Sequence, residues 1–163
     1  MTFFLRQPSA VLVGFLLTGT CVACAPATIP GTSIPDNSQN RELLKQVELF
    51  RVAVERKDAS AVLEMVSPAY YDTRGHPDDP QFHWDYERVR AELPNRLAEV
   101  TDVRLDIAPR RIEVKRDRAF VSFLFTQNFM AQLPSGEVAK HESDLNRMEF
   151  QRVGTKWLIT RGL

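Results

Sequence analysis

Apolar side chains between residues 41 and 56 return at helical intervals: Leu43, Val47, Phe50 and Val54 follow at steps of four, three and four, and Leu44 and Ala53 widen the stripe. The spacing predicts an amphipathic helix. Residues 61–66 carry a second, shorter apolar pattern after Asp58, whose carboxylate suits an N-cap. Ser67-Pro68 ends it, because proline disfavours helix in the residue before it. Beyond a polar loop at residues 72–80, Tyr86, Val89, Leu93, Leu97 and Val100 again fall on one helical face. Pro94 sits inside that pattern and is expected to kink the helix or split it in two, since it lacks an N–H and crowds the preceding turn.

From Val103 the period changes to two. Val103, Leu105 and Ile107 alternate with polar residues, and so do Ile112 and Val114, which predicts two strands. Arg116-Asp117 offers a tight turn into a long strand at residues 119–132, apolar on both faces through Phe120, Val121, Phe123, Leu124, Phe125, Phe129 and Met130. Such a strand is central, covered by helices on one side and by a second subunit on the other. Pro134-Ser135-Gly136 turns the chain into a more polar strand at residues 140–152, and Val153-Gly154-Thr155 turns it again into a strand at residues 157–160. Helices first and a run of antiparallel strands afterwards define an α+β fold.

The first 35 residues hold one charge, Arg6, ahead of the apolar run at residues 10–17 and the small residues Thr18-Gly19-Thr20. This is the plan of a signal peptide, and the run is too short for the roughly 20 apolar residues of a membrane span. Val22-Ala23-Cys24 resembles the lipobox of bacterial lipoproteins, with Cys21 standing where leucine is usual. The resemblance implies cleavage before an acylated Cys24 that anchors the chain in membrane lipid, palmitate included. Ala25-Pro26 after that cysteine implies an outer-membrane lipoprotein facing the periplasm. An ordinary secretory signal cut near Ala23 or Ala25 is the alternative. The expected organisation is a signal peptide at residues 1–23, the lipidated cysteine and a flexible tether at residues 24–39, and one domain at residues 40–163.

Composition agrees with that plan. Both cysteines lie in the leader, so the domain has neither a disulfide nor a thiolate metal site available to it. Removing Arg6 from the 21 basic residues leaves 20 against 21 acidic ones, a net charge of about −1. That balance and the export signal argue against nucleic acid as a partner. Roughly 120 residues are enough for one hydrophobic core.

The order of elements, together with Lys57-Asp58-Ala59 between the first helices, Tyr70-Tyr71-Asp72 after the second, the Arg116-Asp117-Arg118-Ala119 hairpin and a terminal Gly154-x-x-Trp157 strand, resembles the nuclear transport factor 2-like superfamily. The resemblance implies a curled antiparallel sheet forming a cone packed on N-terminal helices, with a homodimer through the sheet as one arrangement. Members include ketosteroid isomerases, dehydratases, polyketide cyclases and noncatalytic binding domains, so the activity rests on the site.

Catalytic members pair a carboxylate or histidine base with a tyrosine or acid donor, which makes Tyr71, Asp72 and His141 the catalytic candidates here. Tyr70, Tyr71, His83, Trp84, His141, Ser143 and Arg147 are candidates for the pocket wall. Against these stand plainer readings: Asp72 as a turn carboxylate before Thr73-Arg74-Gly75, and the tyrosines as core residues whose hydroxyls reach water. The strand around His141, polar on both faces, is either an edge strand or a pocket wall. His76, His83 and His141 share no short ligand spacing, so no metal is expected, and no cofactor. The basic cluster from Arg110 to Arg118 is interrupted by Glu113 and Asp117 and reads as a solvated face. The first functional expectation is a noncatalytic envelope lipoprotein that binds a small apolar ligand or a protein partner. The alternatives are an isomerase, dehydratase or cyclase acting on a hydrophobic carbonyl compound, and an envelope assembly or dimerisation module.

Overall fold

The structure is a computed structural model and describes residues 27–133 and 136–163. The leader, Cys24 and the Pro134-Ser135 turn lie outside the described residues. The chain forms α1 (Ser38–Glu55), α2 (Ala59–Met65), a two-residue strand β1 (Tyr71–Asp72), a 3-10 turn (Pro80–Phe82), β2 (Trp84–Asp85), α3 (Tyr86–Ala98), β3 (Val100–Lys115), β4 (Arg118–Leu133), β5 (Gly136–Val153) and β6 (Lys156–Arg161). β1 and β2 pair with each other, and the remaining strands form one antiparallel sheet in the order β3-β4-β5-β6.

Side-chain caps begin each helix. Asn37 accepts from the Asn40 amide at 2.9 Å, Asp58 from Ala61 at 2.9 Å and Asp85 from Arg88 at 2.8 Å. Each such cap is worth about 1 kcal/mol. Ahead of α1 the segment expected as tether is structured from Thr28, which bridges to Pro35. Ile34 is buried in that turn, Asn40 donates to the Pro35 carbonyl at 2.8 Å, and Arg41 pairs with Asp36 at 2.6 Å. The short apolar content of Thr28–Pro35 is enough because one isoleucine finds a dry site.

Pro94 neither splits nor ends α3, which runs through it as one element. Pro94 and Arg90, one turn earlier, are both exposed, so the carbonyl that loses its amide partner lies on the solvent side. The buried stripe of Val89 and Leu97 on the other side holds the helix together.

The two strands expected over residues 103–115 are one strand, β3, with register shifts between Thr101 and Arg104 and between Pro109 and Arg111. Pro109 has no amide to give, which the edge position of β3 tolerates. The second shift also explains why the apolar positions change from odd to even numbers. Leu105, Ile107, Ile112 and Val114 oppose Gln127, Phe125, Val121 and Ala119, so all four stay on one face of the sheet.

That inner face packs on the helices. Val121, Phe123, Met148, Phe150, Trp157 and Ile159 meet Leu43, Val47, Val62 and Val89 in one core. Burying each large side chain contributes about 1.5–3 kcal/mol. The Ser67 amide donates to the Ile159 carbonyl at 2.8 Å and ties the end of α2 to β6. β6 pairs with β5 only over residues 149–153 and is short. The rest of β5 therefore has β4 as its one strand neighbour among the described residues, and this free edge accounts for its polar composition.

Candidate ligand cavity

Two adjoining cavities lie between the helices and the inner face of the sheet. The first, about 290 Å³, is walled by Phe50 and Val54 of α1 and by Leu105, Ile107, Phe123 and Phe125 of the sheet. The second, about 300 Å³, lies toward α3, among Trp84, Val89, Leu93, Leu97, Val103 and Phe129. Val54, Arg74, Gln127 and Leu163 border both. Each volume is at the lower end of the range for small-molecule sites, and a ligand spanning the two has room for a longer body.

Polar groups reach the cavities at few points. Gln127 donates to a Glu142 carboxylate oxygen at 2.6 Å across the β4–β5 ladder, and Asn146 borders the first cavity beside them. Gln127 interrupts the apolar inner row of Val121, Phe123, Phe125 and Phe129, a break visible in the sequence. Glu142 and Asn146 oppose Gln127 and Phe123 and share their face. Arg74 comes from the loop after β1, in the left-handed region at φ 51°, where nothing in its sequence neighbourhood marks it as a wall residue.

Strand parity sets His141, Ser143 and Arg147 on the sheet face away from these two cavities, Arg147 bordering a separate hollow with Asp72 and Asp144. They oppose Asn128, Thr126 and Ser122, one residue out of step with the inner row, and so face outward. His141 bonds Asn128 at 2.7 Å, Ser143 bonds Thr126 at 3.0 Å, and the Arg147 guanidinium lies 4.1 Å from the Phe120 ring centre. Tyr71 is 48% exposed and its hydroxyl meets His83 Nδ1 at 2.6 Å, while His83 Nε2 meets the His76 carbonyl at 2.8 Å. Neither Tyr71 nor His83 borders either of these two cavities; Tyr71 lines a separate hollow with Phe120 and Arg161. Trp84 borders the second, as a buried side chain.

Asp72 and Tyr70 hold the segment after β6. Asp72 accepts from the Arg74 amide at 2.7 Å and the Gly162 amide at 2.9 Å. The Tyr70 hydroxyl accepts from the Leu163 amide at 3.3 Å and donates to Asp72 at 3.5 Å. Burial pushes the Tyr70 phenol up to about 12. Tyr71, exposed on β1, its neighbour Asp72, engaged in the backbone clamp, and His141, on the outer face of the sheet, therefore share no common cavity. Among the described residues, no group of three histidines, cysteines or carboxylates is placed to hold a metal ion.

The Trp84 indole is surrounded by cations. Guanidiniums of Arg74, Arg88 and Arg96 lie 4.9, 5.2 and 4.6 Å from its ring centre. Glu92 takes both Arg88, at 2.8 Å, and Arg96, at 3.1 Å. Arg88 also donates to the carbonyls of Gln81 and His83 at 2.7 and 3.0 Å. Arg74 makes no ion pair among the described residues.

Helices N-terminal to a curled antiparallel sheet, closed around an inner cavity, define the nuclear transport factor 2-like fold. The fold is shared by ligand-binding proteins and by enzymes of the isomerase and dehydratase type. A conserved protein from Planctomyces limnophilus superposes with a TM-score of 0.62 at 12% identity, over 76% of this chain and 92% of that one. A ketosteroid isomerase-like protein from Erwinia carotovora atroseptica superposes with a TM-score of 0.62 at 15% identity, over 78% and 95%. A nuclear transport factor 2-like superfamily protein from Salmonella enterica serovar Typhimurium gives 0.59 at 14% identity, over 74% and 84%. No family model and no curated protein matches the sequence.

Proposed function

We propose that the protein is a lipid-anchored envelope protein whose cone binds a small, mainly apolar ligand without transforming it. The observation that carries this reading is the pair of adjoining apolar cavities whose polar groups are few, while the groups suited to acid–base chemistry are spent elsewhere. Asp72 already holds two backbone amides. Both of its oxygens are thus engaged in holding backbone, and it borders neither of the two cavities. The leader and Cys24 supply the anchor in this reading, and the folded domain works on the periplasmic side of the outer membrane.

Mass spectrometry of organic extracts from the purified full chain tests the cavity, together with titration by the neutral probe N-phenyl-1-naphthylamine. Val54 borders both cavities, so Val54→Trp should abolish probe binding while the circular dichroism spectrum is kept. Equal probe binding by that variant sinks the cavity reading. Intact mass of the membrane-extracted protein tests the anchor: a chain starting at Cys24 with acyl groups is expected, and an unmodified mature chain overturns it.

Association through the outer face of the sheet is a second reading. Leu145, 69% exposed, opposes Leu124 there. Light scattering should show a dimer that Leu145→Lys dissociates, and a monomeric wild type removes this reading.

A further inference from the structure

The distribution of charge around the second cavity goes beyond an apolar fit. Its polar side chains are Arg74, Arg96 and Gln127, and no acidic side chain borders it. Three guanidiniums face one indole there, and one carboxylate, Glu92, answers two of them. Asp72, two residues from Arg74, binds that residue's backbone amide and the Gly162 amide, leaving the guanidinium unanswered. A cation resting on an aromatic face keeps its in-plane N–H donors free.

The first cavity shares Arg74 but sets Glu142 against it beside Gln127, so its side-chain charges balance where those of the second are all positive. An amphiphile lying across both would therefore have a preferred direction. Its negative end is favoured beside Arg74 and Arg96 and disfavoured beside Glu142, where like charges would meet.

We propose that the natural ligand is an apolar carboxylate, oriented with its head at Arg74 and Arg96 and its hydrocarbon body running between the helices and the sheet. The inference rests on the cavity reading above and adds the chemistry and polarity of the ligand. The guanidinium fork matches a planar carboxylate with two parallel N–H···O bonds. Arg74 is the anchoring residue, being free of competing side-chain partners. Arg96 supplies a second positive charge from α3.

Calorimetric titration of the full chain with decanoate and with decan-1-ol, which share a tail and differ in the head, tests it. Decanoate is expected to bind about tenfold more tightly than the alcohol, the yield of one charge-assisted hydrogen bond. Arg74→Gln should remove most of that preference without weakening the alcohol, and Arg74→Lys should keep part of it. Arg90→Gln, on the exposed side of α3, should change neither. Equal affinity of wild type for acid and alcohol overturns the carboxylate assignment while leaving the apolar cavity standing. A parallel loss of both ligands in Arg74→Gln does the same. Binding of neither ligand by wild type overturns the cavity reading and this inference with it.

Discussion

Replacing Gly162 by alanine would put a methyl group against the backbone of β5. The segment after β6 turns back at Gly162 with φ +92°, and a Cβ there would overlap the Arg147 carbonyl oxygen and stand 3.0 Å from both the Arg147 carbonyl carbon and the Met148 Cα. Two costs add. An L-residue in that backbone region loses about 1–2 kcal/mol. Overlap with a strand that is hydrogen-bonded along β4 costs about 1–3 kcal/mol more, since no flexible side chain can move aside. The expected loss is about 2–5 kcal/mol, a large share of the total stability of about 5–15 kcal/mol typical of such a domain. In urea unfolding the midpoint should fall by about 1–3 M at an m value of about 1.5 kcal/mol/M.

Gly75→Ala and Gly154→Ala are the internal standards. Their φ values are +80° and +60°, and an added Cβ meets nothing within 4 Å at either. They should lose about 1 kcal/mol, the conformational part alone. Hydrogen exchange at Gly162 and Leu163 should rise in Gly162→Ala and stay unchanged in the other two. A Gly162→Ala variant within about 0.5 kcal/mol of Gly75→Ala, with those amides still protected, would refute the close-packing argument.

Other expectations concern the groups around the clamp and α1. The buried Tyr70 phenol titrates above its unfolded value of 10.0, at about 12, so its contribution is complete below pH 10 and is lost as pH rises toward 12. That loss amounts to about 2–3 kcal/mol, and Tyr70→Phe should flatten this part of the stability–pH curve. Glu55 accepts from the Leu105 amide at 2.9 Å and from Arg51 at 2.6 Å. The Leu105 amide first, and then Arg51, hold its carboxyl below the usual value. Its stabilisation is present at neutral pH and lost as pH falls through the lowered value, so Glu55→Gln should be less acid-sensitive than wild type in urea titrations at pH 3–5 and about 1 kcal/mol less stable at pH 7. Asp58→Ala removes the α2 cap and should lower stability by about 1 kcal/mol in thermal unfolding. An unchanged midpoint would show that packing alone holds α2.

The elements were legible because their signals are local. The four-three-four stripe of α1 and the alternation of β4 depend on neighbours a turn or two residues away. The same alternation leaves Gln127 as a polar break in an apolar row, a signal that the sequence reading passed over. What escaped was anything set by register or by a loop. His141 and Ser143 read as pocket residues as readily as Glu142 and Asn146 do, because both faces of that strand are polar and one residue of slip exchanges them. The pairing of β5 with β4 resolves it, and that pairing is not written in either strand alone. Arg74 reaches the cavities from a turn whose composition signals only a turn. The change of parity between Ile107 and Ile112 read as two strands, whereas a register shift at Pro109, on an edge strand, keeps them one.

The two tryptophans of the chain occupy opposite kinds of place, and this gives the molecule a pair of built-in optical gauges. Trp157 is 1% exposed, and its indole N–H has no partner among the described residues. Trp84 forms part of the wall of the second cavity. The emission of the first should follow the global unfolding of the domain. Changes in the second, recorded with Trp157 replaced by phenylalanine, should follow occupancy while the fold stays intact. A single cuvette can then separate a ligand that fills the cone from a condition that merely loosens it.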